Sequence, residues 1–327
     1  MKRAPLVVLA ALTVVMPAAA HADGVPVVGL DGNSGVVSPD GNSRYVTFSS
    51  GNHTVVSRVR VDGGEVARYS TIAGRFVVPS VAYDYTTSGL AKDGRTLVLI
   101  RPRTSPGQKH THLVVLDPIR LRVKRQIVLR GDFSFDAISP DGSKLYLVNY
   151  LALSRNNFDP TDYRVRSLDT ATGKLDPRPV VDPREPDEKM GGLPVTRVMS
   201  ADGRWAYTLY SGSKHPFVHA LDTVGNSARC IDLDALTARD DLFQMRLHLA
   251  RGGRELQVVK GRKPVMLVDT SDFSVARPHV EAARPAAAGS PAHHNGPRLW
   301  PYGLALFALI LLIAVSARPR ARATRAR

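Results

Sequence analysis

The stretch SPDGSKLYLVNY, residues 139–150, decides the fold of this chain. Asp-Gly between two runs of strand formers is a strong hairpin signal, because glycine accepts a positive φ without a Cβ clash. Pro140 presets φ at the entry to the turn. The residues after the turn alternate and are rich in Tyr, Val and Leu, as in a half-buried strand. The stretch therefore predicts two strands joined by a tight turn.

The same phrase occurs five times. The copies read VVSPDGNSRYVTF at 36–48, GLAKDGRTLVLI at 89–100, AISPDGSKLYLVNY at 137–150, VMSADGRWAYTLY at 198–210 and HLARGGRELQVVK at 248–260. Their turn positions, which are separated by 53, 48, 61 and 50 residues, are Asp40, Asp93, Asp141, Asp202 and Gly252. A period near 50 residues indicates a repeat architecture.

A second phrase follows each copy: a strand that ends in Asp, then a turn and another strand. Its Asp residues are Asp62, Asp117, Asp169, Asp222 and Asp269. Two hairpins in each period make four strands, which is the composition of a propeller blade. We therefore expect an all-β fold, a β-propeller of four-stranded blades. Five repeats are visible, six or seven blades remain open, and GVPVVGL at 24–30 is expected to add a strand that closes the ring.

The two phrases carry a family resemblance. SPDGSKLYLVN and LDTATGKL of the third repeat resemble the YVTN and TolB-like (WD40-like) β-propeller repeat families, over roughly residues 30–276. The fifth repeat departs from the pattern, with Arg251-Gly252 where Pro-Asp is usual. The resemblance implies the fold and leaves the function open, since such propellers host many activities.

The two ends of the chain predict export and anchoring. Residues 1–22 combine a basic start, a short apolar run and the small residues Ala20-His21-Ala22, which is typical of a secretory signal peptide. LWPYGLALFALILLIAVSA at 299–317 has no charge and is long enough for a transmembrane helix. Five arginines follow in 318–327, which favours a cytoplasmic tail. A segment of this kind can also be a sorting signal that is later removed.

These features give a domain plan. We expect a signal peptide at 1–22, a β-propeller at 23–281, an Ala/Pro-rich linker at 282–298, a transmembrane helix at 299–317 and a basic cytoplasmic tail at 318–327. The predicted location is the cell membrane, with a single pass and the propeller on the extracytoplasmic side.

Charge and cysteine content limit the partners. The formal charge is +15, but the signal peptide and the tail hold seven of the 44 basic residues, so the remainder is near +8. The surplus is spread out and forms no basic stripe with aromatic residues, which argues against nucleic acid. The single cysteine, Cys230, excludes an internal disulfide. We expect a monomer that binds a protein or an envelope polymer.

The sequence shows no common catalytic motif, and we predict no catalytic residue, no metal ligand and no cofactor. The repeat alignment does single out Arg246 and His248. They share one face of the innermost strand of the fifth repeat, where the other repeats have mostly small, apolar or hydroxylic residues. A basic pair near a channel mouth would suit an anionic ligand, so we predict a ligand-binding role for both.

Three functions remain open at this stage. The first is a membrane-tethered extracytoplasmic propeller that binds a protein, polymer or small ligand. The second is a lactonase-like hydrolase with a site in the central channel, for which only Asp136 and His248 have suitable side chains in the aligned strands. The third is a structural subunit of an envelope complex.

Overall fold

The computed structural model describes residues 35–105, 107–154, 160–187 and 189–278. Within them the chain forms five antiparallel sheets in chain order, and strands within each sheet pair with their neighbours in sequence. We call these sheets blades 1 to 5. The predicted signal peptide, linker, transmembrane helix and tail, and the expected closing strand at 24–30, lie outside the described residues. The described residues contain no helix that is long and apolar enough to cross a membrane.

Blades 1 and 2 are built from the first two repeats. Blade 1 consists of β1 (Val36–Val37), β2 (Ser43–Ser50), β3 (His53–Arg60) and β4 (Val66–Ala73). Blade 2 consists of β5 (Leu97–Ile100), β6 (His110–Asp117) and β7 (Arg122–Arg130).

Blades 3 to 5 each have four strands. Blade 3 consists of β8 (Phe133–Ile138), β9 (Lys144–Leu153), β10 (Pro160–Asp169) and β11 (Leu175–Val180). Blade 4 consists of β12 (Pro194–Met199), β13 (Trp205–Tyr210), β14 (Phe217–Asp222) and β15 (Ser227–Asp232). Blade 5 consists of β16 (Met245–Ala250), β17 (Glu255–Lys260), β18 (Lys263–Asp269) and β19 (Val275–Ala276). Short 3-10 turns occupy Asp234–Leu236, Leu242–Gln244 and Arg251–Gly253.

Blade 2 departs from the predicted four strands. Its innermost position is taken by two isolated bridges, Val77 to Ile100 and Leu90 to Leu97. Between them the chain leaves the blade at Pro79 and returns at Gly89, whose φ is +108°. Proline cannot donate to a strand ladder and a positive φ bends the chain. The innermost strand of blade 2 is therefore interrupted by an insertion.

The repeated phrase folds as the sequence predicts. In blade 3, the Ser139 hydroxyl donates to Asp141 at 2.6 Å and accepts the amide of Lys144 at 2.9 Å. The hydrogen bond from Ser139 lowers the pKa of Asp141, as expected for an acceptor that is stabilised in its charged form. Ser38 with Asp40 and Ser200 with Asp202 repeat the arrangement.

The second phrase is tied to the first by its threonine. The hydroxyl of Thr170 donates to the carbonyl of Gly142, that of Thr223 to Gly203, and that of Thr270 to Gly253. These glycines belong to the turns of the first phrase in blades 3, 4 and 5. In these three blades the contact holds the two hairpins of one repeat together.

Buried apolar clusters join successive blades face to face. One joins blades 1 and 2, a second blades 2 and 3, two more blades 3 and 4, and another blades 4 and 5. In the part of the chain that the structure describes, none of these clusters joins blade 5 to blade 1. The described residues thus confirm the predicted all-β fold, with four antiparallel sheets of four strands and one of three.

Candidate functional site

An inserted hairpin at residues 80–87, which we call the crossing hairpin, links blades that are distant in sequence. Ser80 pairs with Thr87 at its base, and Val81 donates its amide to the carbonyl of Thr86 at 2.8 Å. At the tip, the amides of Tyr83 and Asp84 donate to carbonyls of Pro194 and Val195 in β12. The hairpin therefore starts from blade 2 and contacts blade 4 at its tip.

The tip of the crossing hairpin holds a strained tyrosine. Tyr85 has a φ of +63°, a conformation that costs roughly 1–2 kcal/mol for a residue with a Cβ atom. Hydrogen bonds hold the turn: Tyr85 donates its amide to the carbonyl of Ala82, and Thr86 donates its amide and its hydroxyl to the carboxylate of Asp84. The side chain of Tyr85 is nevertheless 57% exposed. Glycine would adopt this backbone without strain, so the fold itself does not require tyrosine here.

Further exposed aromatic residues lie beside the tip. The rings of Tyr83 and Phe243 meet edge to face with centroids 5.0 Å apart, and both side chains are more than a third exposed. Phe243 precedes β16, so this contact joins the hairpin to blade 5. Large exposed rings in contact are unusual on a monomer surface unless they bind something.

The two residues predicted from the repeat, Arg246 and His248, lie on one face of β16, and both are exposed. The Nε of Arg246 is 3.6 Å from a carboxylate oxygen of Asp84 on the hairpin. Its Nη1 donates to the carbonyls of Phe243 and Met245. The guanidinium is thus oriented while half of the side chain stays exposed. The ligand-binding role of Arg246 and His248 remains a prediction.

We call the exposed side chains of Tyr83, Tyr85, Phe243 and Arg246 the aromatic–basic surface. It combines three rings with one guanidinium, whose position is set by Asp84. Sequence reasoning found only Arg246 of these four. The signal for the two tyrosines was the motif VAYDYTT at 81–87, which no other repeat contains, and Phe243 lies outside this motif.

The other candidate for chemistry at the inner strands, Asp136, is engaged in the fold. Its carboxylate and its backbone carbonyl accept the guanidinium of Arg197 on β12. The Nε of Arg197 donates to the hydroxyl of Thr208 at 2.8 Å. Both charged side chains are almost fully buried, at 1% and 2% exposure. This ion pair connects blades 3 and 4, and its partners are inaccessible to a substrate.

No group of three or more His, Cys, Asp or Glu side chains placed to hold a metal occurs in the described residues. Exposed His248 and buried Asp136, the two residues considered for a hydrolase, do not share a site, since Asp136 is sealed between blades 3 and 4.

Comparisons with known proteins find propellers among solved structures. Hydrazine synthase from Kuenenia stuttgartiensis is 17% identical with a TM-score of 0.44, and the match covers 75% of this chain and 71% of that one. TolB from Acinetobacter baumannii is 12% identical with a TM-score of 0.40, covering 73% and 52%. The Cps50 (Swd1) β-propeller domain from Myceliophteria thermophila is 12% identical with a TM-score of 0.42, covering 78% and 70%.

These similarities are too distant to bear on activity, and this chain spans only about half the length of the TolB chain. No protein-family model matches the chain. A comparison with curated proteins finds no match either. Function has to be argued from the chain's own residues.

Proposed function

We propose that this chain is an extracytoplasmic β-propeller, held at the membrane by one C-terminal span, that binds a protein partner through the aromatic–basic surface. Residues 1–22 and 299–317, which support the membrane location by their sequence patterns, lie outside the described residues. The binding role rests on the described residues alone.

The observation that carries the binding role is Tyr85. The turn keeps a bulky side chain in a left-handed conformation and presents it to solvent. Strain of this kind persists only where the surrounding structure enforces it, and it concentrates at functional sites. Here the backbone bonds of the tip to β12 enforce it. The result is a rigid aromatic anchor.

The composition of the surface indicates the chemistry of the partner. Tyr, Phe and Arg are enriched at the energetic centres of protein interfaces, where rings fill apolar pockets and arginine binds carboxylates. The pair with Asp84 fixes the guanidinium of Arg246 before binding, which lowers the entropy lost on association. A protein segment with an apolar side chain next to a carboxylate is the complementary partner. Exposed His248 lies about 7 Å along the same strand and extends the polar part of the surface.

Selection of random displayed peptides against the full-length chain tests this function. We expect enrichment of peptides that combine apolar and acidic residues. For a selected peptide, Tyr85→Ala should weaken binding about 30-fold, corresponding to an anchor worth roughly 2 kcal/mol. Arg246→Ala should weaken it about 10- to 150-fold, since a hydrogen bond to a charged group contributes roughly 1.5–3 kcal/mol.

The matched control is Ile119→Ala. Ile119 is as exposed as Tyr85, at 56%, but lies in the turn between β6 and β7. Its replacement should leave binding unchanged. Equal affinity of the Tyr85 and Ile119 variants would contradict the proposal. Binding of an anionic polysaccharide but of no peptide would assign the surface to a polymer instead.

A further inference from the structure

A small cavity between blades 3 and 4 is separate from the aromatic–basic surface. Its walls come from β10 and the segment after β11 on one side, and from β14 and β15 on the other; they include Tyr163, Met190, His219 and Cys230. Its volume is about 20 Å³. A cavity of roughly 10–15 Å³ accepts one water molecule. The space therefore excludes an organic molecule and admits a single water or a single ion.

His219 faces this cavity without a partner. Its side chain is 1% exposed, and neither ring nitrogen has a hydrogen-bond partner in the described structure. Burial disfavours the charged imidazolium, and a neutral ring keeps a lone pair on one nitrogen. A buried polar group without a partner is costly, and such groups in native structures call for an explanation.

Two sulfur-bearing side chains line the same cavity. Cys230 lies directly opposite His219 in the β14–β15 ladder, so both side chains share one face of blade 4. The backbone of Cys230 is fixed by Asp182, which accepts its amide at 3.1 Å, and by Arg184, which donates to its carbonyl at 3.1 Å. Met190 approaches from the blade 3 side and is 9% exposed.

A neutral imidazole, a thiol and a thioether are a soft donor set. Thiolate and thioether ligands favour Cu(I) over magnesium, calcium or manganese, which prefer oxygen. Cu(I) bound to a thiolate carries no net charge, and a neutral unit is far less costly to bury than a charged ion. The size of the cavity, the type of donor atoms and the net charge on binding thus all favour a single Cu(I) ion.

We propose that this cavity is a site for one Cu(I) ion, held by the imidazole of His219, the thiolate of Cys230 and the thioether of Met190. On binding, the thiol proton is released to solvent and the sulfur forms a bond to the ion. Copper stays Cu(I), so the step needs no oxidant or reductant. Cys230 is half-buried, which leaves the ion a route from solvent.

Competition against a chromophoric Cu(I) chelator such as bicinchoninate, under anaerobic conditions, tests the site on the full-length chain. We expect the wild-type protein to retain one Cu(I) per chain. His219→Gln, Cys230→Ser and Met190→Leu should each weaken retention at least tenfold. The matched controls are His248→Gln, an exposed histidine, and Met266→Leu, a buried methionine between blades 4 and 5. Both should bind as the wild type does.

The single thiol of the chain provides a second measurement. One equivalent of Cu(I) should slow the reaction of Cys230 with a maleimide in the wild type and much less in Met190→Leu, a substitution that conserves volume and so preserves the fold. Loss of the ion to the chelator by the wild type would overturn the proposal and leave a water as occupant. Wild-type affinity in Met190→Leu would also overturn the proposed ligand set.

Discussion

Removal of Arg197 should destabilise the propeller strongly, because its partner Asp136 would remain buried between blades 3 and 4. The two side chains are 1% and 2% exposed, so Arg197→Leu leaves a carboxylate without its counter-charge and without water. Breaking a buried ion pair in this way typically costs about 3–5 kcal/mol. The m-value, which is the decrease in the free energy of unfolding per molar urea, reaches about 3 kcal/mol per molar at the upper end of the range for small proteins. The urea midpoint should therefore fall by roughly 1–1.7 M.

The double variant Asp136→Leu/Arg197→Leu separates charge from packing. Replacing both partners by apolar residues removes the uncompensated charge, so stability should recover to within about 1–2 kcal/mol of the wild type. The control Arg251→Leu removes an arginine that is 72% exposed beside Glu255, and exposed pairs contribute about 0–1 kcal/mol. Equal midpoints for Arg197→Leu and Arg251→Leu would refute the role of the buried pair.

Three further predictions concern electrostatics, the repeat and the membrane. Burial raises the pKa of Asp222, but hydrogen bonds from Arg204 and two backbone amides outweigh this and lower it. The ionised Asp222 therefore stabilises the folded chain above about pH 4, and this contribution is lost as pH falls through the lowered pKa. Arg204→Ala should move the midpoint of acid unfolding, followed by circular dichroism, to higher pH. An unchanged midpoint would contradict this. Thr223→Val removes the buried hydroxyl that bonds the carbonyl of Gly203 and should cost about 1–2 kcal/mol, measured as a lower Tm; an unchanged Tm would show that the turn contact is dispensable. Protease added to intact cells with a permeable wall should remove the propeller and spare a tag placed after Arg327, whereas a protected propeller would contradict the predicted topology.

Much of the fold was predictable because its determinants are local. The hairpin phrase encodes its turn in three or four consecutive residues, and the bonds of Ser139 and Asp141 follow from that sequence. The inner strand of blade 2 was not predictable in the same way. Alignment on Asp93 placed Gly89 and its neighbours on a regular strand, but Pro79 and the positive φ of Gly89 divert the chain into the crossing hairpin.

The candidate sites depend on contacts between distant residues. Asp136 and Arg197 are 61 residues apart, and the spacing of the repeats does not say which side chains of adjacent blades meet. Arg246 stood out because it breaks the pattern of the repeats. Tyr85 did not, because it belongs to an insertion that has no counterpart in them. The cross-strand pair of His219 and Cys230 required the register of β14 and β15.

The most direct test of the proposed binding function is photo-crosslinking in the native membrane. A photoreactive residue placed at position 85 of the full-length chain should give one discrete adduct with a protein. The same residue at position 119, which is equally exposed, should give none, and Arg246→Glu should suppress the adduct formed from position 85 by repelling an acidic partner. Adducts of equal yield from both positions, or none from position 85, would contradict the proposal that the aromatic–basic surface binds a protein.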